Sequence, residues 1–230
     1  NQLMDTRERP MEKIGIMGGT FDPIHYGHLM IAENAREQFG LDKVLFIPTG
    51  NPPHKQRQHV TEAIHRCRMV SLAIEDNEAF AMDETEVESS DTSYTYLTLK
   101  KIRDRYREAH LYFILGADSL FDFESWKEPE AILEHCSILA AHRKHEHQES
   151  FFQQIGYLNH KYQEHFFPLN TPNLEVSSQD IRNRLQCGRT VRYLVPRNVE
   201  LYIRKHHLYE GEAMEDEKGR DREKAEKGIG

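Results

Sequence analysis

The chain has 230 residues, 38% of them hydrophobic and 30% charged, with a formal net charge of −8. That length fits one domain, or one with a modest insertion, and the apolar content is enough to build a core. No apolar run approaches a bilayer span, and the negative balance argues against broad nucleic-acid binding while allowing a local basic pocket for a small polyanion.

Residues 1–10 are polar, with Arg7, Glu8, Arg9 and Pro10 where the apolar stretch of a leader would sit. They read as an N-terminal extension without a folding role, and no signal peptide is seen. The first strand is predicted over Lys13–Met17. It runs into Gly18-Gly19-Thr20-Phe21-Asp22-Pro23-Ile24-His25-Tyr26-Gly27-His28, and then into an amphipathic segment, Leu29 to Phe39. Glycines let a backbone approach a ligand closely, and a helix start offers unpaired N–H groups and partial positive charge. Two histidines in the first helical turn add donors to such a seat. The segment therefore reads as a nucleotide-phosphate site. A plain strand–turn–helix connection with solvated histidines is the competing reading. The G-x-G-x-x-G and G-x-x-x-x-G-K-[ST] spacings are both absent, which excludes the dinucleotide fingerprint and the ATPase-type loop.

A second strand is predicted over Lys43–Pro48, followed by Thr49-Gly50-Asn51-Pro52-Pro53-His54-Lys55, a loop stiffened by proline and positive at its end. A rigid surface turn would look the same. Thr61–Asp76 has helical spacing, with Ile64, Cys67, Ser71 and Ile74 on one face and Thr61 read as its N-cap. Strand Phe80–Glu86 comes next, then Ser93-Tyr94-Thr95 opening a helix over Tyr94–Arg107. Strand Leu111–Leu115 leads into Gly116-Ala117-Asp118-Ser119, where a carboxylate at a strand's carboxyl end suits ribose hydroxyls but equally suits an N-cap. Trp126, the sole tryptophan, offers a stacking face, although core packing is the commoner role.

Strand Ser137–Ala141 closes the regular alternation. Residues 142–168, rich in histidine, read as a helix and a connecting loop, and His142, His145 and His147 lack the carboxylate or thiol spacing of a metal site. A helix is predicted over Ser178–Cys187, opened by Ser177-Ser178 and carrying Arg182 one turn on, which suits phosphate or simple capping. A last helix falls near Pro196–His206, and residues 210–230 read as a charged, disordered tail or linker. Cys67, Cys136 and Cys187 are far apart without C-x-x-C spacing, so a cytoplasmic setting is the default reading. The alternation implies right-handed crossovers and a Rossmann-like α/β fold, a doubly wound parallel sheet with helices on both faces, its ligands at the carboxyl ends of the strands.

Together the opening motif and Ser177-Ser178-x-x-Ile181-Arg182 resemble the HxGH nucleotidyltransferases. The intervening Pro52-Pro53-His54-Lys55, Ser93-Tyr94-Thr95, Gly116-Ala117-Asp118-Ser119 and Trp126 are similar to those of bacterial nicotinate-mononucleotide adenylyltransferases, over about residues 11–209. Thr49-Gly50-Asn51 departs from the commoner family pattern, and residues 142–168 match nothing in it. The resemblance implies AMP transfer from ATP to nicotinate mononucleotide, giving nicotinate adenine dinucleotide and pyrophosphate in NAD biosynthesis. It assigns catalysis to His25, His28 and Arg182. ATP binding would fall to these with Gly18, Gly19, Thr20, Phe21, Gly116, Asp118, Ser178 and Ile181. Thr49, His54, Lys55, Tyr94, Thr95 and Trp126 would hold the mononucleotide. Mg2+ would arrive with ATP, and no resident metal, membrane or nucleic-acid partner is implied. A homo-oligomer is left open. The rival readings are another acceptor, nicotinamide mononucleotide or phosphopantetheine, and a non-catalytic nucleotide sensor.

Overall fold

The computed structural model describes residues 10–50, 60–143 and 148–211. Most of the expected extension (residues 1–9) and tail (residues 212–230) lies outside the described residues, as do His145 and His147. Six strands, β1 (Lys13–Gly19), β2 (Lys43–Pro48), β3 (Phe80–Met82), β4 (His110–Gly116), β5 (Cys136–Arg143) and β6 (Phe166–Thr171), form one sheet in the order β3-β2-β1-β4-β5-β6. Every pairing is parallel. The strand order reverses between β1 and β4, so a crevice opens at their carboxyl ends, where open α/β sheets bind ligands.

Side chains alternate across a strand with a period of two, and the core divides accordingly. Met17, Val44, Phe46, Tyr112, Ile114, Leu139 and Ala141 face one way. Ile14, Ile16, Leu45, Ile47, Leu111, Phe113, Leu115, Ile138 and Ala140 face the other. Helices α1 (Tyr26–Phe39), α2 (Ala63–Ile74), α7 (Ser178–Gln186) and α8 (Arg197–Lys205) supply buried residues to the first layer. The second is covered by α3 (Thr95–Arg105), α4 (Ala117–Asp122), α5 (Pro129–Leu133) and α6 (Gln148–Tyr162). Helices thus cover both faces of the sheet, as the alternation predicts. α1 stops at Gly40, whose φ of 61° is a left-handed cap that glycine adopts without a Cβ penalty.

Three expectations need correction. A sixth strand, β6, occupies part of what was expected to be connecting loop and runs on to Thr171. Its central Pro168 disguises it, yet proline is tolerated because β6 is the edge strand: among the described residues its one strand partner is β5. β3 ends at Met82 instead of Glu86, because the Asp83 carboxylate accepts the Thr85 amide at 2.9 Å and turns the chain. Thr61 does not cap α2: the N-cap is Glu62, and the Thr61 backbone is engaged elsewhere. The short helices α4 and α5 were not anticipated, having too few turns to show a period.

Candidate active site

The histidine turn is built by local hydrogen bonding. His25, extended at φ −145°, is the N-cap of α1, and its Nδ1 accepts the Gly27 amide at 3.0 Å. The His28 Nδ1 in turn accepts the His25 amide at 3.1 Å. This is the reciprocal geometry of a capping box, with two imidazoles in place of a hydroxyl and a carboxylate. The rings stack at 3.7 Å between centroids. A Cβ at Gly27 would lie 2.8 Å from the His25 ring, so only glycine fits beneath it. The H-x-G-H spacing is therefore the spacing of one helical cap.

The same bonds fix the tautomers. Each Nδ1 accepts from a backbone N–H, so the proton of each neutral ring resides on Nε2. Burial holds the His25 pKa down to about 4, and burial with the neighbouring His25 holds His28 well below its ordinary value. The free protein thus presents two neutral Nε2–H donors at a helix start, a seat for an anion. Phe21 braces them from behind. Its ring meets His28 edge-on at 5.0 Å, and its backbone is left-handed at φ 51°, which costs a non-glycine residue about 1–3 kcal/mol.

The late helix closes on this turn. Ser177 caps α7 by accepting the Asp180 amide at 3.0 Å. The Ser178 hydroxyl donates to the Pro23 carbonyl at 2.8 Å, and Arg182 Nη1 donates to the Asp22 carbonyl at 2.7 Å. Residues some 155 positions apart are thereby joined. Ile181 points the other way, fully buried, and anchors the helix in the core.

Gly18 and Gly19 end β1, whose ladder with β4 stops at Ile16 and Phe113; Gly116 ends β4 and caps α4, and Asp118 lies in the first turn of that helix. Gly18 is exposed, and a Cβ there would make only ordinary contact with Phe113. The protein alone therefore does not demand this glycine. Thr20 and Thr49 follow β1 and β2, and the Thr49 amide donates to the Gly19 carbonyl at 2.8 Å.

A second set lies adjacent. Tyr94 precedes α3, whose N-terminus has no side-chain cap, and Thr95 begins it. Lys127 Nζ sits 4.4 Å over the Tyr94 ring. Trp126, half-buried, meets the Phe113 ring edge-on at 6.1 Å, so it stands one side chain away from Gly18. The Glu86 carboxylate accepts the Thr98 hydroxyl at 2.8 Å and hydrogen bonds from Gly50 and Ser93. Glu86 thus holds the loop after β2 against the start of α3, and burial raises its pKa. His54 and Lys55 lie outside the described residues.

Sequence reading missed the group beneath the turn. The Asp22 carboxylate accepts the Thr61 amide at 3.1 Å and the Tyr209 hydroxyl. Arg66 donates to the Thr61, Thr20 and Thr49 carbonyls. A signal existed: Arg66 stands on the apolar stripe of α2 with Met69, Val70 and Ala73. A groove of about 530 Å3 on another side of α2, lined by Cys67, Ser71, Met82, Tyr202 and His206, includes none of His25, His28, Arg66 and Arg182. Among the described residues no three His, Cys, Asp or Glu side chains gather as a metal site. No described helix is long and apolar enough to cross a membrane.

Comparison with known proteins places the chain in a family. The profile of the cytidylyltransferase-like family matches residues 16–184. A protein of Desulfitobacterium hafniense, named probable nicotinate-nucleotide adenylyltransferase, is 42% identical over 200 residues, spanning 87% of this chain and 97% of its own. A protein of the same name from Lachnoclostridium phytofermentans is 40% identical over 199 residues, spanning 86% and 100%. Plasmodium falciparum nicotinic acid mononucleotide adenylyltransferase complexed with NaAD shares the fold, with a TM-score of 0.69 at 24% identity over 86% of this chain and 97% of that one. With its histidine cap and late serine–arginine helix joined at the switch point of the sheet, the chain belongs to the cytidylyltransferase-like family and, within it, to the nicotinate-nucleotide adenylyltransferases.

Proposed function

We propose that the protein transfers the adenylyl group of ATP to nicotinate mononucleotide, releasing pyrophosphate. The observation that carries this is the joining of two helix starts, α1 with His25 and His28 and α7 with Ser178 and Arg182, at the crevice of the sheet. A triphosphate is the ligand long and charged enough to use both.

The acceptor's phosphate oxygen attacks the α-phosphorus of ATP in line, and the bond to the β-phosphate oxygen breaks. A phosphate monoester is mostly dianionic near neutrality, its second pKa being about 6, so the attack needs no general base. The protein's task is position and charge stabilisation. His28 Nε2–H donates to the charge growing on the α-phosphate, and His25 and the Thr20 region hold the neighbouring oxygens. Ser178 and Arg182 receive the departing pyrophosphate. Gly18 and Gly19 admit the nucleotide, and Asp118 takes the adenosine ribose. Magnesium enters with ATP as part of the substrate.

On the acceptor side, the pyridine ring lies toward Trp126 and the open amides at the start of α3 meet its carboxylate. A carboxylate only accepts hydrogen bonds, whereas an amide NH2 would face those donors unpaired, a mismatch costing on the order of 1–3 kcal/mol. We read the setting as cytosolic, in keeping with the free, buried thiols of Cys67 and Cys136.

The test is pyrophosphate release with MgATP and three acceptors in parallel: nicotinate mononucleotide, nicotinamide mononucleotide and phosphopantetheine. The acid should give the highest kcat/KM, by about tenfold or more over the amide if the mismatch costs 1.4 kcal/mol. Preference for either other acceptor would reassign the substrate, and release with none would make the protein a sensor.

A further inference from the structure

Arg66 is only 3% exposed and lies outside the set of side chains that reach the substrates in the reading above. It occupies a stripe of α2 whose other members, Met69, Val70 and Ala73, are core. A buried charge carries a large desolvation cost, and a well-packed apolar residue often does as well or better for stability. Its hydrogen bonds show what the charge does instead. Nε donates to the Thr61 carbonyl at 2.8 Å, and Nη1 donates to the Thr20 and Thr49 carbonyls, each at 2.9 Å. Thr20 is the first residue beyond β1 and Thr49 the first beyond β2. Adjacent parallel strands share ladder bonds only as far as Gly19 and Pro48, and the Thr49 amide adds one bond to the Gly19 carbonyl. Beyond that point one nitrogen of Arg66 spans both chains. The Asp22 carboxylate, held by the Thr61 amide and the Tyr209 hydroxyl, supplies a counter-charge nearby.

We propose that Arg66 is a positioning residue for adenylyl transfer: it ties the turn that holds the donor phosphates to the loop that leads to the acceptor, and so fixes the distance between the two nucleotides. This rests on the activity proposed above. Arg66 touches neither substrate, so each nucleotide alone should bind almost normally when the tie is cut. What should suffer is any ligand or transition state that depends on both halves at once.

The measurement compares wild type with Arg66→Met and Arg66→Lys, using the acceptor that the wild-type enzyme prefers. Circular dichroism first establishes that each variant is folded at the assay temperature. A misplacement of about 1 Å can cost roughly 10²-fold in rate, so kcat should fall by about that factor in Arg66→Met, with both KM values within about threefold. The dinucleotide product, which spans both halves, should lose affinity about tenfold, because linked binding depends on the geometry between subsites. A non-hydrolysable ATP analogue and the acceptor, each titrated alone, should keep theirs. Lysine retains the charge without the rigid fork, so Arg66→Lys should show the same pattern in smaller measure. It carries the test alone if Arg66→Met does not fold. A folded variant with wild-type kcat and product affinity overturns the proposal, as does a parallel loss of every single-ligand affinity. A wild-type protein that uses no acceptor overturns the activity and the tie together.

Discussion

The two nitrogens of the His25 ring differ: Nδ1 closes the helix cap, which leaves the proton of the neutral ring on Nε2. Protonation would turn the capping acceptor into a donor, so the cap and the neutral state support each other. The depressed pKa makes stability depend on pH. The native pKa of about 4 lies below the ordinary 6.5, so the unfolded chain binds more protons between those values. Stability from this group is fully present above about pH 6.5 and is lost as pH falls through about 4. His25→Asn keeps a good cap without a titrating ring. In urea unfolding between pH 7 and 4.5, wild type should lose on the order of 2 kcal/mol more than His25→Asn. Equal losses would show that His25 titrates normally in the folded state. The motif was legible in the sequence because the whole arrangement is local, confined to four residues. The network of Asp22, Thr61, Arg66 and Tyr209 was not, since its members meet only after the sheet and its crossovers form.

At the scale of elements, the period of two along the strands and the stripes on the longer helices make most of the framework legible in the sequence. What escaped has physical reasons. β6 carries Pro168, which speaks against a strand unless its edge position is known, and edge position belongs to the whole sheet. α4 and α5, of six and five residues, are shorter than the repeat needed to recognise them. Thr61 looked like a cap because threonine often is one, yet its amide serves Asp22 and its carbonyl serves Arg66. The segment following α4 bears on the acceptor. Trp126 sits directly after a short 3-10 turn, Phe123–Ser125, with its ring tilted against Phe123 and edge-on to Phe113. Trp126→Ala should raise the KM for the mononucleotide by about tenfold, the loss of one aromatic contact, with little change in the KM for ATP. Steady-state kinetics in both substrates will show this, and an effect confined to ATP would move the acceptor elsewhere.

At the scale of the molecule, a chain of net charge −8 still gathers its donors at one edge of the sheet. The topology accomplishes that: six parallel strands aim their carboxyl ends the same way, and the order reversal between β1 and β4 opens the only kind of crevice such a sheet provides. α7 follows all six strands and locks to the first turn through Ser178 and Arg182, so the two turns meet only when distant parts of the domain are in place. The strand–helix rhythm made the crevice foreseeable, and the two terminal motifs foretold what would gather there. The bonds that join them, side chain to backbone, could be seen only in three dimensions. The central claim is that this joined pair of helix starts grips a triphosphate. It is tested most directly by titrating a non-hydrolysable ATP analogue into wild type, His28→Ala and Arg182→Ala, with turnover measured on the same samples. Each substitution should weaken analogue binding, Arg182→Ala by about tenfold or more as a charge-assisted contact is lost, and His28→Ala should cut turnover by about 10²-fold or more while the fold survives. Folded variants that bind the analogue and turn over like wild type would contradict the account.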